Sequence, residues 1–204
     1  GYRVITVALP GFEEGEVDTK AHSFEAVTER LQATLEHTDA LDATLVGHDW
    51  GAIFCYRLLR TYPKAAGRLV TLEVGAGPRS FALTLFVLAY HALLNLAYRL
   101  GEGLGDRLMA WLCRRMPRPS YPDALEPKAH HGWLYRQAWR QGSEDGPWPY
   151  YFQSSIAKWT PPEALPVCFL YGEDGPSWLR FHTKAWRDAV TSRNEQSRAV
   201  ALPG

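Results

Sequence analysis

Cysteine is scarce: Cys55, Cys113 and Cys168 are odd in number, far apart, and in no pair with metal-ligand spacing. That argues against a disulfide framework and a zinc site, and fits a reducing, cytoplasmic compartment. Charge of one sign is lacking too, since 22 basic residues balance 22 acidic ones. A partner held by a broad field, nucleic acid above all, is therefore not expected. No basic-then-apolar signal peptide, internal repeat or low-complexity tract is visible. Long uncharged runs are nearly absent; the exception is Phe81 to Tyr98, 18 residues without Asp, Glu, Lys or Arg. This is the lower edge of a bilayer span. Thr84, His91 and Asn95 interrupt it, and Arg79 and Arg99 bracket it. It reads first as a buried or lid helix with Phe81, Leu85, Leu88 and Leu96 toward the core or the substrate entrance. A membrane-associated protein is the alternative.

What is present is a strand and helix alternation. Apolar β-branched runs at Arg3–Leu9 and Ala43–Val46 flank a helical stretch, Phe24–His37, in which Phe24, Val27, Leu31 and Leu35 recur at helical spacing. A helix over Trp50–Thr61 ends near Tyr62-Pro63, a strand follows at Arg68–Val74, and a fourth spans Val167–Tyr171 before a helix-like stretch at Ser177–Val190. Strands apolar on both faces and alternating with helices imply a mostly parallel α/β sheet with helices on both faces. Between the third and fourth strands the character changes, because prolines and tryptophans concentrate there. Proline cannot continue a helix interior, so this insert reads as a mainly helical cap of short helices. The chain thus divides into residues 1–78 (core, first part), 79–160 (cap) and 161–204 (core, second part).

The strand Ala43–Val46 runs directly into Gly47-His48-Asp49-Trp50-Gly51-Ala52 and then a helix. Such a strand, tight turn and helix is the setting of a nucleophile elbow, whose glycines avoid collisions of a side chain at Gly47 or Gly51 with neighbouring backbone. Its usual centre is Ser; here it is Asp49. A carboxylate is ionised at neutral pH (reference pKa about 3.9) and displaces a leaving group from an sp³ carbon to give an alkyl ester of the enzyme. Water activated by a His then hydrolyses that ester while backbone N–H groups, that of Trp50 among them, receive the oxyanion charge. The plain alternative is that Asp49 caps the following helix.

Leu45 to Ala52 resembles the elbow of the α/β-hydrolase superfamily, in particular its epoxide hydrolase and haloalkane dehalogenase branch. Gly1-Tyr2-Arg3-Val4-Ile5 with Leu9-Pro10-Gly11-Phe12 resembles the strand and Pro-Gly loop upstream in that branch, although Ala8 stands where Asp is common. The resemblance implies an Asp-nucleophile hydrolase of small apolar substrates, epoxide hydrolase-like first and dehalogenase-like second, with no organic cofactor and no metal. A non-catalytic binding protein of the same fold is the rival from another class. The resemblance also implies that the chain is incomplete at both ends: an oxyanion loop is expected before Gly1 and the catalytic His just beyond Gly204.

The same resemblance supplies the partners. The usual triad acid stands three residues after the glycine closing the last strand, which here is Gly175, with Asp174 one residue early; some members draw the acid from the strand after the elbow helix, where Glu73 stands. Glu73 is placed first, because an acid inside an apolar strand end is costly to bury unless paired. Tyr151 and Tyr150 in the cap match a tyrosine that donates to an opening epoxide oxygen; a dehalogenase would use the Trp50 indole as a halide donor. For the histidines packing or helix-end roles suffice: His48 beside the nucleophile reads as a core residue, His182 as part of the helix after the fourth strand, and His130-His131 as a turn without ligand spacing.

Overall fold

Ser23 opens the first helix. Its hydroxyl accepts a hydrogen bond from the N–H of Ala26 at 3.0 Å, satisfying one of the donors that a helix start leaves unpaired. The helix, α1 (Phe24–His37), has the bounds that its apolar spacing predicts. The computed structural model describes residues 1–12, 23–75, 81–115, 127–145, 159–173 and 180–203. After α1 come β1 (Thr44–His48), α2 (Trp50–Thr61), β2 (Arg68–Leu72), α3 (Phe81–Leu100), α4 (Leu104–Arg115), a 3₁₀ turn (Ala129–Gly132), α5 (Trp133–Asp145), β3 (Val167–Gly172), α6 (Lys184–Arg193) and β4 (Arg198–Leu202). Two compact units divide the chain, one of Gly1–Val27 with Val87–Tyr150, the other of Thr28–Phe86 with Tyr151–Gly204.

The second unit carries the sheet, four parallel strands in the order β1-β2-β3-β4. In α2 the inward positions Ala52, Phe54, Tyr56, Leu58 and Leu59 are buried. Tyr62 precedes Pro63, whose ring disfavours helical backbone at Tyr62, and the helix stops there with the Tyr62 N–H on the Leu58 carbonyl at 2.7 Å. Over one face of the sheet the rings of Tyr56, from α2, and Trp186, from α6, meet edge to face at 5.4 Å, and Trp186 also meets Phe169 of β3. Arg57 donates to the Thr28 hydroxyl at 3.0 Å, docking α1 on α2.

In the first unit Leu94 and Ala97 of α3 pack with Met109, Leu112 and Cys113 of α4. Glycine permits the close approach: a Cβ at Gly132 would stand 2.8 Å from the Leu94 carbonyl oxygen. Asp106 accepts from the N–H groups of Ala129 at 2.7 Å and Gly103 at 3.3 Å, which hold its carboxyl below its ordinary 3.8.

Three expectations need correction, and one strand was not anticipated. Arg3–Leu9 forms no strand, and Tyr2, Val4 and Val7 are exposed; a β-branched pattern makes a strand only where a ladder partner exists, and among the described residues it pairs with none. Arg198–Leu202, not anticipated, is instead the fourth strand. Of the stretch expected to be helical at Ser177–Val190, residues 177–179 lie outside the described residues, residues 180–183 are not helical, and α6 starts at Lys184, capped by the Thr183 hydroxyl on the Trp186 N–H at 3.1 Å. Finally, α3 buries Leu83, Val87, His91, Leu94 and Ala97, while Phe81, Leu85 and Leu96 are exposed. Leucine lies on every side of this helix, so its periodicity did not distinguish the face that packs.

Candidate active site

β1 ends at His48 and α2 begins at Trp50, so Asp49 alone makes the turn. Its backbone stands at φ 50°, ψ −119°, a conformation that costs a residue with a side chain and persists where the surroundings impose it. A capping residue has extended backbone and a side-chain oxygen on an N–H of the first turn. Asp49 has neither, since its backbone is not extended and its side chain makes no cap hydrogen bond; its carbonyl accepts from Ala52 at 3.1 Å and Ile53 at 3.3 Å. The residue is exposed at the amino end of α2, where the helix dipole favours a negative charge. Trp50, the first residue of α2, is buried, and its backbone N–H lies at that same end.

The flanking glycines differ from expectation. A Cβ at Gly47 would fall 2.8 Å from the backbone of Gly51 and Ala52, but nothing lies within 4 Å of one at Gly51. Only the first glycine is required by space. His48 is exposed rather than packed in the core; it holds the last paired position of β1, which among the described residues lies at the edge of the sheet.

Glu73 stands where Asp49 does, one strand over. His48 pairs with Leu72 in the parallel register, so Asp49 and Glu73 are each the first residue past the paired ends, at the carboxyl edge where open α/β sheets gather reacting groups. Glu73 also has a positive φ, 62°. Its Oε1 accepts from the Gly172 N–H at 2.7 Å, which ties the end of β2 to the end of β3. Two further bonds fix the segment after it: the Tyr56 hydroxyl donates to the Val74 carbonyl at 2.6 Å, and the Gly75 N–H donates to the Phe181 carbonyl at 2.9 Å. Sequence reasoning missed Tyr56. The available signal was a hydroxyl on the apolar face of a helix, which needs a partner once buried.

Asp174, Tyr150 and Tyr151 lie outside the described residues. His182 precedes α6 rather than lying on it, and its ring packs on Phe169 and Tyr171 of β3, two strands from Asp49. Its Nδ1 lies 3.0 Å from Arg187 Nη1, a permanent donor, so the neutral ring carries its proton on Nε2. Burial first, then Arg187 and Arg180, push its pKa down to about 4. The Cys55 thiol is pushed up to about 12 by burial and is no competing nucleophile at neutral pH. Among the described residues no three His, Cys, Asp or Glu side chains come together to hold a metal. A polar cavity of about 550 Å³, lined by Asp42, Thr44, Arg68, Asn194 and Gln196 among others, opens at the amino ends of the strands, the edge opposite Asp49.

A family model described as the alpha/beta hydrolase family matches residues 1–204. No curated protein matches the chain in sequence. Among solved structures, epoxide hydrolase A from Mycobacterium thermoresistibile is 20% identical over 93% of this chain and 71% of its own, with a TM-score of 0.53. Cfl2 from Burkholderia cenocepacia is also 20% identical, over 93% of this chain and 68% of its own, at 0.59. A thermophilic esterase from Thermogutta terrifontis is 16% identical over 96% of this chain and 69% of its own, at 0.56. At these identities the likeness is one of fold.

Proposed function

The chain belongs to the alpha/beta hydrolase family, and from that premise we propose that it is a hydrolase with Asp49 as nucleophile, acting on a small apolar epoxide. The observation that carries this reading is the backbone of Asp49, held at φ 50° between β1 and α2 with no side-chain bond capping the helix. An epoxide hydrolase and an esterase share the fold, so fold leaves the chemistry to the residue at the turn. There an ionised carboxylate, unlike a serine hydroxyl, needs no base to attack.

In the proposed first step a carboxylate oxygen of Asp49 forms a bond to a ring carbon, the carbon–oxygen bond of the epoxide breaks, and the alkoxide takes a proton from Tyr151 or Tyr150 on the cap of residues 79–160. In the second, an imidazole removes a proton from water, the hydroxide adds to the ester carbonyl of Asp49, and the Trp50 N–H receives the oxyanion. Collapse expels the diol oxygen, which takes its proton from the imidazolium, and the released Asp49 carboxyl returns a proton to the tyrosinate, restoring the carboxylate, so that one water has been added across the ring. Glu73 or, second, Asp174 would hold the imidazolium. β4 brings the chain to the same edge, Leu202 pairing with Gly172.

The test is mass spectrometry of the full-length protein quenched during turnover of an epoxide. An adduct on the peptide bearing Asp49 is expected; an adduct elsewhere, or full activity in Asp49→Ala, overturns the reading. Tyr150→Phe and Tyr151→Phe separate epoxide from halide chemistry, because loss of a general acid slows alkylation by roughly 10²–10⁴. Two unaffected variants would favour a halide substrate, with the Trp50 indole among its donors.

A further inference from the structure

The helix α3 is apolar on all sides, with a mean hydropathy of 1.7 over its best 18 residues, of which only 28% are buried. A helix hydrophobic all round normally lies inside a protein or against lipid. Here one face is inside: Leu94 and Ala97 pack on α4. On the opposite face Leu93, Leu96 and Leu100 are 39%, 45% and 45% exposed, and beyond the turn Leu104 and Trp111 of α4 are 64% and 49% exposed.

The charge around this face is mostly positive, four arginines against two acids between Arg99 and Arg115. Arg99, Arg107, Arg114 and Arg115 are all exposed, and the Arg115 guanidinium lies over the Trp111 ring at 5.1 Å. Two acids lie between them, Glu102 and Asp106, the second held ionised by the backbone N–H groups of Ala129 and Gly103, so the arginines exceed the acids by two. In a chain whose charges balance overall this is a local cationic rim around leucine and tryptophan. We propose that the outer face of α3 and α4 seats on an anionic lipid surface, α3 lying in the plane of the interface.

A span is excluded by the packed face, since lipid on all sides of α3 would require breaking the Leu94, Ala97 and Met109 contacts. A second copy is disfavoured because a two-fold contact would bring the arginine rims together. An anionic leaflet satisfies both components: leucine side chains enter the acyl boundary, arginines remain among the headgroups, and tryptophan sits at the interface. The inference does not depend on the chemistry of Asp49.

Co-sedimentation with vesicles tests it, comparing phosphatidylcholine alone with phosphatidylcholine containing about a quarter phosphatidylglycerol. The chain is expected to partition onto the anionic vesicles and to be released by salt. Arg114→Gln with Arg115→Gln should weaken partition roughly 25-fold, about fivefold per arginine, and Leu96→Gln with Leu100→Gln roughly tenfold or more. Every substituted side chain is exposed, so unchanged circular dichroism is expected. A second measurement needs no charge change: brominated lipid should quench tryptophan emission in the parent chain and less in Trp111→Phe. Equal binding to both vesicle types, no binding to either, or a dimer that the leucine substitutions dissolve would overturn the proposal.

Discussion

Glu73 Oε1 accepts the backbone N–H of Gly172 at 2.7 Å, so the acid expected to steady an imidazole also ties two strand ends together. These roles separate by substitution. Glu73→Gln keeps an acceptor for Gly172 but removes the charge that stabilises an imidazolium. It should accumulate the alkyl ester on Asp49, with a near-normal burst and slow turnover, and melt almost as the parent does. Glu73→Ala loses the bond as well and should cost about 1 kcal/mol of stability. If Asp174→Asn accumulates the ester instead, the acid is on the later strand.

The two elbow glycines should respond in opposite directions. At Gly47 a methyl group meets backbone at 2.8 Å, which flexible side chains cannot relieve, so Gly47→Ala should lose roughly 1–3 kcal/mol. At Gly51 the space is open and the residue is helical, so Gly51→Ala should gain up to about 1 kcal/mol. Urea unfolding of both variants decides this.

Helices α1 and α2 were legible to the residue because their apolar spacing is regular and Ser23 and Pro63 mark ends. The placement of Asp49 and Glu73 at one edge was legible as well, since each stands at the end of an apolar run that reads as a parallel strand. Less of the rest is written locally. Whether Arg3–Leu9 pairs depends on a partner strand that its own residues do not specify, and β4, with two alanines in five residues, has a weak strand pattern until β3 lies beside it. The positive φ of Glu73 and the bond from Tyr56 to Val74 arise from contacts distant in sequence, which periodicity does not carry.

Stability should fall on mild acidification. The pKa values of His131 and His182 are both lowered from 6.5 to about 4, by burial first and then by His130 and by Arg187 respectively. Each ring meets a donor at Nδ1, the Lys128 N–H for His131 and Arg187 for His182, both at 3.0 Å. Between about pH 6.5 and 4 the unfolded chain therefore binds protons that the folded chain refuses. Their contribution is intact above about pH 6.5 and is lost as pH falls through that window, on the order of 1 kcal/mol per group after screening. Asp106 enters only below its ordinary 3.8. Melting temperature against pH should decline from about 6.5 downward, and His182→Phe should flatten the decline; an unchanged slope would remove His182 from this account.

Tyr56 should connect stability to turnover. Its hydroxyl donates to the Val74 carbonyl at 2.6 Å and lies 3.0 Å from the Thr71 hydroxyl, in a fully buried position against Trp159 and Trp186. Tyr56→Phe keeps the ring packing and leaves a buried carbonyl without its donor, a loss of about 1–3 kcal/mol. Val74 follows Glu73 directly, so release of that carbonyl should loosen the backbone that aims the Glu73 carboxylate. If Glu73 is the acid, Tyr56→Phe should slow ester hydrolysis while leaving alkylation of Asp49 near normal, and the defect should be smaller than in Glu73→Gln because the charge remains. Burst amplitude and steady-state rate on one substrate measure both steps. A variant that loses stability but keeps its turnover would confine Tyr56 to packing and would weaken the case for Glu73.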